Sequence, residues 1–163
     1  TQGVSSAASD VYKRQVLMAA EAYNETGTDR QKAWDLLNSV RTRAEATSIT
    51  EANYDEMMSI RKKTHNLTFI DDSTPEGKFR TALYWERGFE LAFEGQRKYD
   101  LIRWGVLGKA LKLFGEISSV NQKENKPYPA YRNFTEGKHE LFPIPLKEIQ
   151  SNPKLNGMNN NGY

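Results

Sequence analysis

Apolar positions recur at three- and four-residue steps along most of this chain, which is the spacing of helices with one buried face. Residues 16–26 are rich in helix formers, with Leu17, Met18, Ala20 and Ala22, and stop at Gly27. Asp29 is placed to cap a second helix over 30–46, whose stripe is Ala33, Trp34, Leu36, Leu37, Val40 and Ala44. Two helices joined by so short a glycine turn predict an antiparallel hairpin. A hairpin of this kind cannot cover its own apolar face and needs neighbours. A third helix is expected over 54–63, with Met57, Met58 and Ile60. The run Asp71-Asp72-Ser73-Thr74-Pro75 breaks the pattern, and a long helix follows to residue 94. Shorter elements are expected over 97–104 and 106–117, the latter with Leu107, Leu111, Leu113 and Phe114. Beyond 118 the chain turns polar and irregular. Pro143 and Pro145 require an extended segment there, with one helical turn near 147–150. The fold class is therefore all-α, in helical hairpins, with an irregular extended C-terminal tail.

The expected long helix carries the densest charge pattern of the chain. Glu86, Glu90 and Glu94 stand one above another at i,i+4 spacing, where unpaired like charges repel by about 0.2–0.5 kcal/mol per pair. Ala82, Trp85, Phe89 and Phe93 form the adjoining apolar stripe. Acids beside such a stripe are half-buried and call for arginine partners, whose planar fork suits carboxylates. Arg87 and Arg97 are in reach, and Asp100 and Arg103 extend the pattern into the next element. The expected outcome is a structural ion-pair network of Glu86, Arg87, Glu90, Glu94, Arg97, Asp100 and Arg103.

The same residues, ERGFELAFEGQRKYDLIRWG at 86–105, resemble the signature of the SusD/RagB family. So does the tail, from Leu141-Phe142-Pro143-Ile144-Pro145 through Glu148-Ile149, Asn152-Pro153 and Leu155 to Gly162-Tyr163. A third block is Ala20-Glu21-Ala22 followed by Leu37-Asn38-Ser39-Val40-Arg41-Thr42-Arg43-Ala44. The three blocks stand in the family's order. The resemblance implies tetratricopeptide-like helices belonging to the C-terminal portion of a non-enzymatic lipoprotein of the outer-membrane surface. It implies capture of glycans or other oligomeric nutrients and their delivery to a TonB-dependent, SusC-like transporter. The lipid anchor would lie in an N-terminal region outside this sequence. A soluble helical-repeat adaptor that binds proteins is the alternative reading.

Composition narrows the classes further. The 163 residues suffice for one domain with a core, and 23 basic against 21 acidic residues give a net charge of only +2. Arg97, Lys98, Arg103, Lys109 and Lys112 are interleaved with acids, so they read as a solvated surface and not a nucleic-acid face. The absence of cysteine removes disulfides and thiolate metal sites. Residues 1–15 lack an apolar period and resemble translated adaptor sequence, with a flexible natural linker as the alternative, so the SusD-like portion is expected to begin at residue 16.

Catalytic chemistry would have to come from the glutamates, since His65 and His139 are the only histidines. Carboxylate pairs that cleave glycosides usually face each other across a cleft, whereas these stand on one helix. Glu86, Glu90 and Glu94 lack the Glu-x-x-His pattern of helical di-iron sites, and no glycine-rich phosphate loop is present, so neither metal nor cofactor is expected. Trp34, Trp85, Phe89, Phe93 and Phe114 read as core, and Trp104 as a cap on the element before it. Tyr128 and Tyr131 lie in the polar stretch, and are the candidates for stacking against a sugar ring.

Overall fold

The computed structural model describes residues 2–64, 67–117 and 129–163, with side chains from Val11 onward. All regular structure among these residues is helical. Eight helices follow in order: α1 Gln2–Thr26, α2 Arg30–Arg43, α3 Tyr54–Thr64, α4 Pro75–Glu90, α5 Arg97–Arg103, α6 Leu107–Ile117, α7 Pro129–Arg132 and α8 Leu146–Ser151. A single 3-10 turn, Pro153–Leu155, closes the series. The chain divides into two compact units, residues 1–97 and 98–163.

In the first unit α1 and α2 pair as the expected hairpin, and α4 packs on both. Gly27 makes the turn with a φ of +66°, and the Asp29 carboxylate accepts from the Lys32 amide at 2.8 Å to cap α2. The hairpin buries Leu17, Ala20, Ala33, Trp34, Leu37 and Val40 against Phe79, Ala82 and Leu83 of α4. Phe79 meets Trp34 edge-on, with centroids 4.9 Å apart. Two departures from the expected spans have simple causes. α1 begins at Gln2 and not at residue 16, because a helix already nucleated extends cheaply through residues such as Ala, Gln, Lys and Arg. α2 ends at Arg43, where Glu45 takes a φ of 57° and Ala44 is exposed.

Between α2 and α3 the chain is fastened by side-chain amides. Asn38 donates to the Ile49 carbonyl and accepts from the Ile49 amide, both at 2.8 Å, which seats Ile49 in the core. Thr74 caps α4 by accepting from the Gly77 amide at 3.1 Å, with Pro75 at the first helical position. The preceding loop presses on this turn so closely that a Cβ on Gly77 would stand 1.6 Å from the Asp71 carbonyl oxygen.

In the second unit Leu101, Val106, Leu107 and Ala110 are buried, while none of the described residues in 129–163 is. A Cβ on Gly108 would come within 2.7 Å of the Phe134 ring, so α6 takes that ring because residue 108 has no side chain. The tail runs extended over 142–145 and then turns back. Asn159 accepts from the Ile144 amide at 2.7 Å and donates to its carbonyl at 3.4 Å, while Asn160 donates to the Phe142 carbonyl at 2.7 Å. Tyr163 is docked too, its hydroxyl donating to the Leu141 carbonyl at 3.1 Å and its ring lying against His139.

Candidate functional site

The three glutamates singled out by their spacing do find cations, and the partners come from other helices. Glu86 pairs with Arg41 of α2, and the two residues are 5% and 6% exposed. The Arg41 Nε also donates to the Thr47 carbonyl at 2.8 Å, so the guanidinium bridges α4 and the segment after α2. Glu90 pairs with Arg43, one helical step further along α2. Glu94 lies beyond the end of α4, where Lys13 and Arg14 of α1 each approach its carboxylate to 2.6 Å. Arg41 and Arg43 were missed in the sequence because i,i+4 spacing reports only partners on the same helix. Their signal was the presence of two arginines in the last turn of the neighbouring helix.

The remaining charged residues of the pattern form smaller groups. Arg87 is buried in α4 at 6% exposure. Arg97 donates to the Tyr84 carbonyl at 2.8 Å and lies over the Tyr84 ring at 3.9 Å. A Cβ on Gly88 would stand 3.4 Å from that guanidinium, so the glycine keeps the space clear. In the second unit Arg103 pairs with the buried Asp100 at 3.0 Å and covers the Trp104 ring.

A second cluster, unmarked by any spacing in the sequence, sits where α3 faces α4. Trp85 and Phe89 stack, their planes 17° apart, and the Arg61 guanidinium lies 4.7 Å from the Phe89 centroid and 5.5 Å from that of Trp85. Arg61 Nη1 is buried with no hydrogen-bond partner among the described residues. Burial, with the charge of Arg41 nearby, works against the Arg61 charge, and Glu86 supports it. Beside it Tyr54 donates to Asp72 at 2.8 Å, and Lys62 reaches the same carboxylate at 2.8 Å. The cavity among Met58, Arg61, Lys62, Leu67, Asp72, Thr81 and Trp85 measures about 10 Å³, room for a single water and not for a sugar.

Several aromatics expected in the core are not there. Phe89 is 54% exposed, Phe114 49% and Phe93 fully so. Phe93 misses the core because α4 ends at Glu90 and the chain turns before it, whereas Phe89, still on α4, stacks on Trp85 beneath the Arg61 guanidinium. Tyr131 lies on α7 at 40% exposure, whereas Tyr128 falls outside the described residues. None of the described residues group as three or more metal-ligating side chains.

Five carboxylates, Glu25, Asp55, Asp71, Asp72 and Glu94, titrate below their ordinary values, and this sets a pH dependence. Arg80 holds Glu25 down, and Lys13, then Arg14, do the same for Glu94. Burial alone would raise Asp72, but Lys62 and Tyr54 outweigh it and its pKa is lowered. For each group the unfolded chain takes up a proton at a higher pH than the folded one. Their stabilisation is therefore complete above about pH 5 and drains away as pH falls through the ordinary carboxylate range toward the folded values. The midpoint of thermal unfolding should hold between pH 7 and pH 5 and drop steadily from pH 4.5 to pH 3. A midpoint unchanged at pH 3 would show that these pairs contribute nothing.

The sequence that builds these elements matches a known family. The profile of the SusD family matches residues 9–163, and this chain belongs to that family. SusD-like protein P25 of Formosa agariphila is 36% identical over 156 residues, which cover 94% of this chain and 23% of the relative. SusD-like protein P2 of the same organism is 32% identical over 152 residues, covering 93% of this chain and 25% of the relative. The chain thus spans about a quarter of the length of the curated relatives it matches. No solved structure matches it.

Proposed function

We propose that this chain is the C-terminal portion of a lipid-anchored protein of the outer-membrane surface that captures glycans or other oligomeric nutrients. It passes them to a TonB-dependent, SusC-like transporter, and binding and release are the whole of its mechanism. The observation that carries this reading is the family match across residues 9–163, in a chain that aligns with SusD-like proteins over nearly all its length. The chemistry agrees with a binding role. Glu86 and Glu90 are each held by a guanidinium from α2, the arrangement of a structural pair. The ion pairs, in this reading, are a scaffold that fixes α4 against α1 and α2.

The test is affinity purification of the full-length protein from its own outer membrane, with glycan binding measured on the purified protein. Recovery of a TonB-dependent barrel in stoichiometric amount, with saturable binding of an oligosaccharide, is the expected result. Recovery from the soluble fraction with other proteins and no barrel would replace it with the adaptor reading. Turnover of a glycan, abolished by Glu90→Gln, would replace it with an enzyme.

A further inference from the structure

The turn between α4 and α5 holds a phenylalanine at positive φ whose ring is left uncovered among the described residues. Phe93 has a φ of +65°, the left-handed region, and its ring is 108% exposed. Bulky L-residues are rare at positive φ, where the side chain crowds the following carbonyl. Such strain persists where the surroundings impose it, and it gathers at sites with a task. Here the surroundings do impose it. Leu91 is buried at 3% exposure, the Leu91 amide donates to the Arg87 carbonyl at 3.1 Å, and the Glu94 amide donates to the Leu91 carbonyl at 3.2 Å. The Glu94 carboxylate is held by Lys13 and Arg14. Gly95 then reverses the chain at a φ of +71°, with no penalty for a residue lacking Cβ.

We infer that Phe93 is a preset plug, and that its socket is an apolar pocket in the part of the SusD-like polypeptide beyond these 163 residues. The inference rests on the reading of this chain as one portion of a longer protein, and not on which nutrient that protein takes. About three quarters of each relative's length lies outside the matched stretch, so ample chain exists to supply the socket. Other occupants suit the site less well. A sugar subsite sets hydrogen-bonding side chains beside its aromatic ring, but Ala92 and Gly95 offer none and Glu94 is already ion-paired. A second copy would meet through a lone ring, far short of the area a stable dimer buries.

The experiment introduces the photo-cross-linker p-benzoylphenylalanine at Phe93 in the full-length protein and maps the product by mass spectrometry. The expected result is an intramolecular cross-link to a peptide outside the 163 residues. Cross-linking to a peptide within the 163 residues, to the transporter, to a second copy or to glycan, or no cross-link at all, overturns the inference. Phe93→Gly in the same protein gives a second, independent readout. Glycine relieves the backbone strain, so the unfolding midpoint rises if the ring is solvated, and falls by at least about 2 °C if the ring is buried in a socket. Nutrient binding is measured in parallel on the wild-type protein. Intact binding without the cross-link sinks the plug alone, whereas a clean cross-link in a protein that binds no nutrient sinks only the proposed function.

Discussion

Glu86→Ala is expected to lower the unfolding free energy by about 3–5 kcal/mol, the usual loss when one member of a buried ion pair is removed. The loss is set less by the attraction given up than by what remains. Arg41 is 6% exposed and keeps its bond to the Thr47 carbonyl, so its charge would stay in the interior with no anion opposite. Arg43→Ala serves as the control on the same pair of helices. Arg43 is 49% exposed at the side chain, and its bridge to Glu90 should be worth no more than about 1 kcal/mol. The combined replacement Arg41→Met with Glu86→Leu should recover most of the loss, because neither desolvated charge is left behind. Urea titrations of the four proteins check all of this. A loss under about 1 kcal/mol for Glu86→Ala would mean that water reaches the pair in solution.

Phe79→Ala should cost a similar amount, about 3–5 kcal/mol, by a different route. Phe79 is fully buried on α4, and its ring meets the face of α2 through the edge-on contact with Trp34. Truncation removes the transfer free energy of the ring and about 0.5–1.5 kcal/mol of aromatic pairing, and it leaves a cavity between three helices. Phe79→Leu refills most of the volume and should cost markedly less. Equilibrium unfolding followed by tryptophan emission separates the two substitutions. Equal losses would show that the pairing with Trp34, and not the volume, is what matters at this position.

Much of the helical layout was legible in the amino-acid order because its determinants are local. The apolar steps of α2, the Asp29 cap, the glycine stop at Gly27 and the breaker before Pro75 are all read within one or two turns of chain. The end of α4 was misread because Leu91, Ala92 and Phe93 continue the apolar pattern, and the reversal at Phe93 has no local signal besides Gly95. That error carried Phe93 into the expected core, and it also placed Glu94 on a helix it does not share. The cations facing Glu86 and Glu90 were hidden for a second reason: they lie about 45 residues away in sequence. Arg61 over the Trp85–Phe89 stack was invisible in the same way, since cation–π contacts leave no periodicity. The folding back of the tail depends on Asn159 and Asn160, whose amides are indistinguishable in the sequence from ordinary turn residues.

That last arrangement bears on how the protein behaves in a crowded preparation. An extended segment with unpaired backbone amides is a template on which a second chain can add a strand, and from there aggregate. Residues 143–145 contain a single amide hydrogen, that of Ile144, because both flanking residues are prolines. Asn159 already accepts it, and the carbonyls of Phe142 and Ile144 are taken by Asn160 and Asn159. Residues 143–145 therefore have no free amide hydrogen with which to recruit a foreign strand. The exposed Phe142 and Leu146 on either side can be tolerated at the surface without seeding fibres.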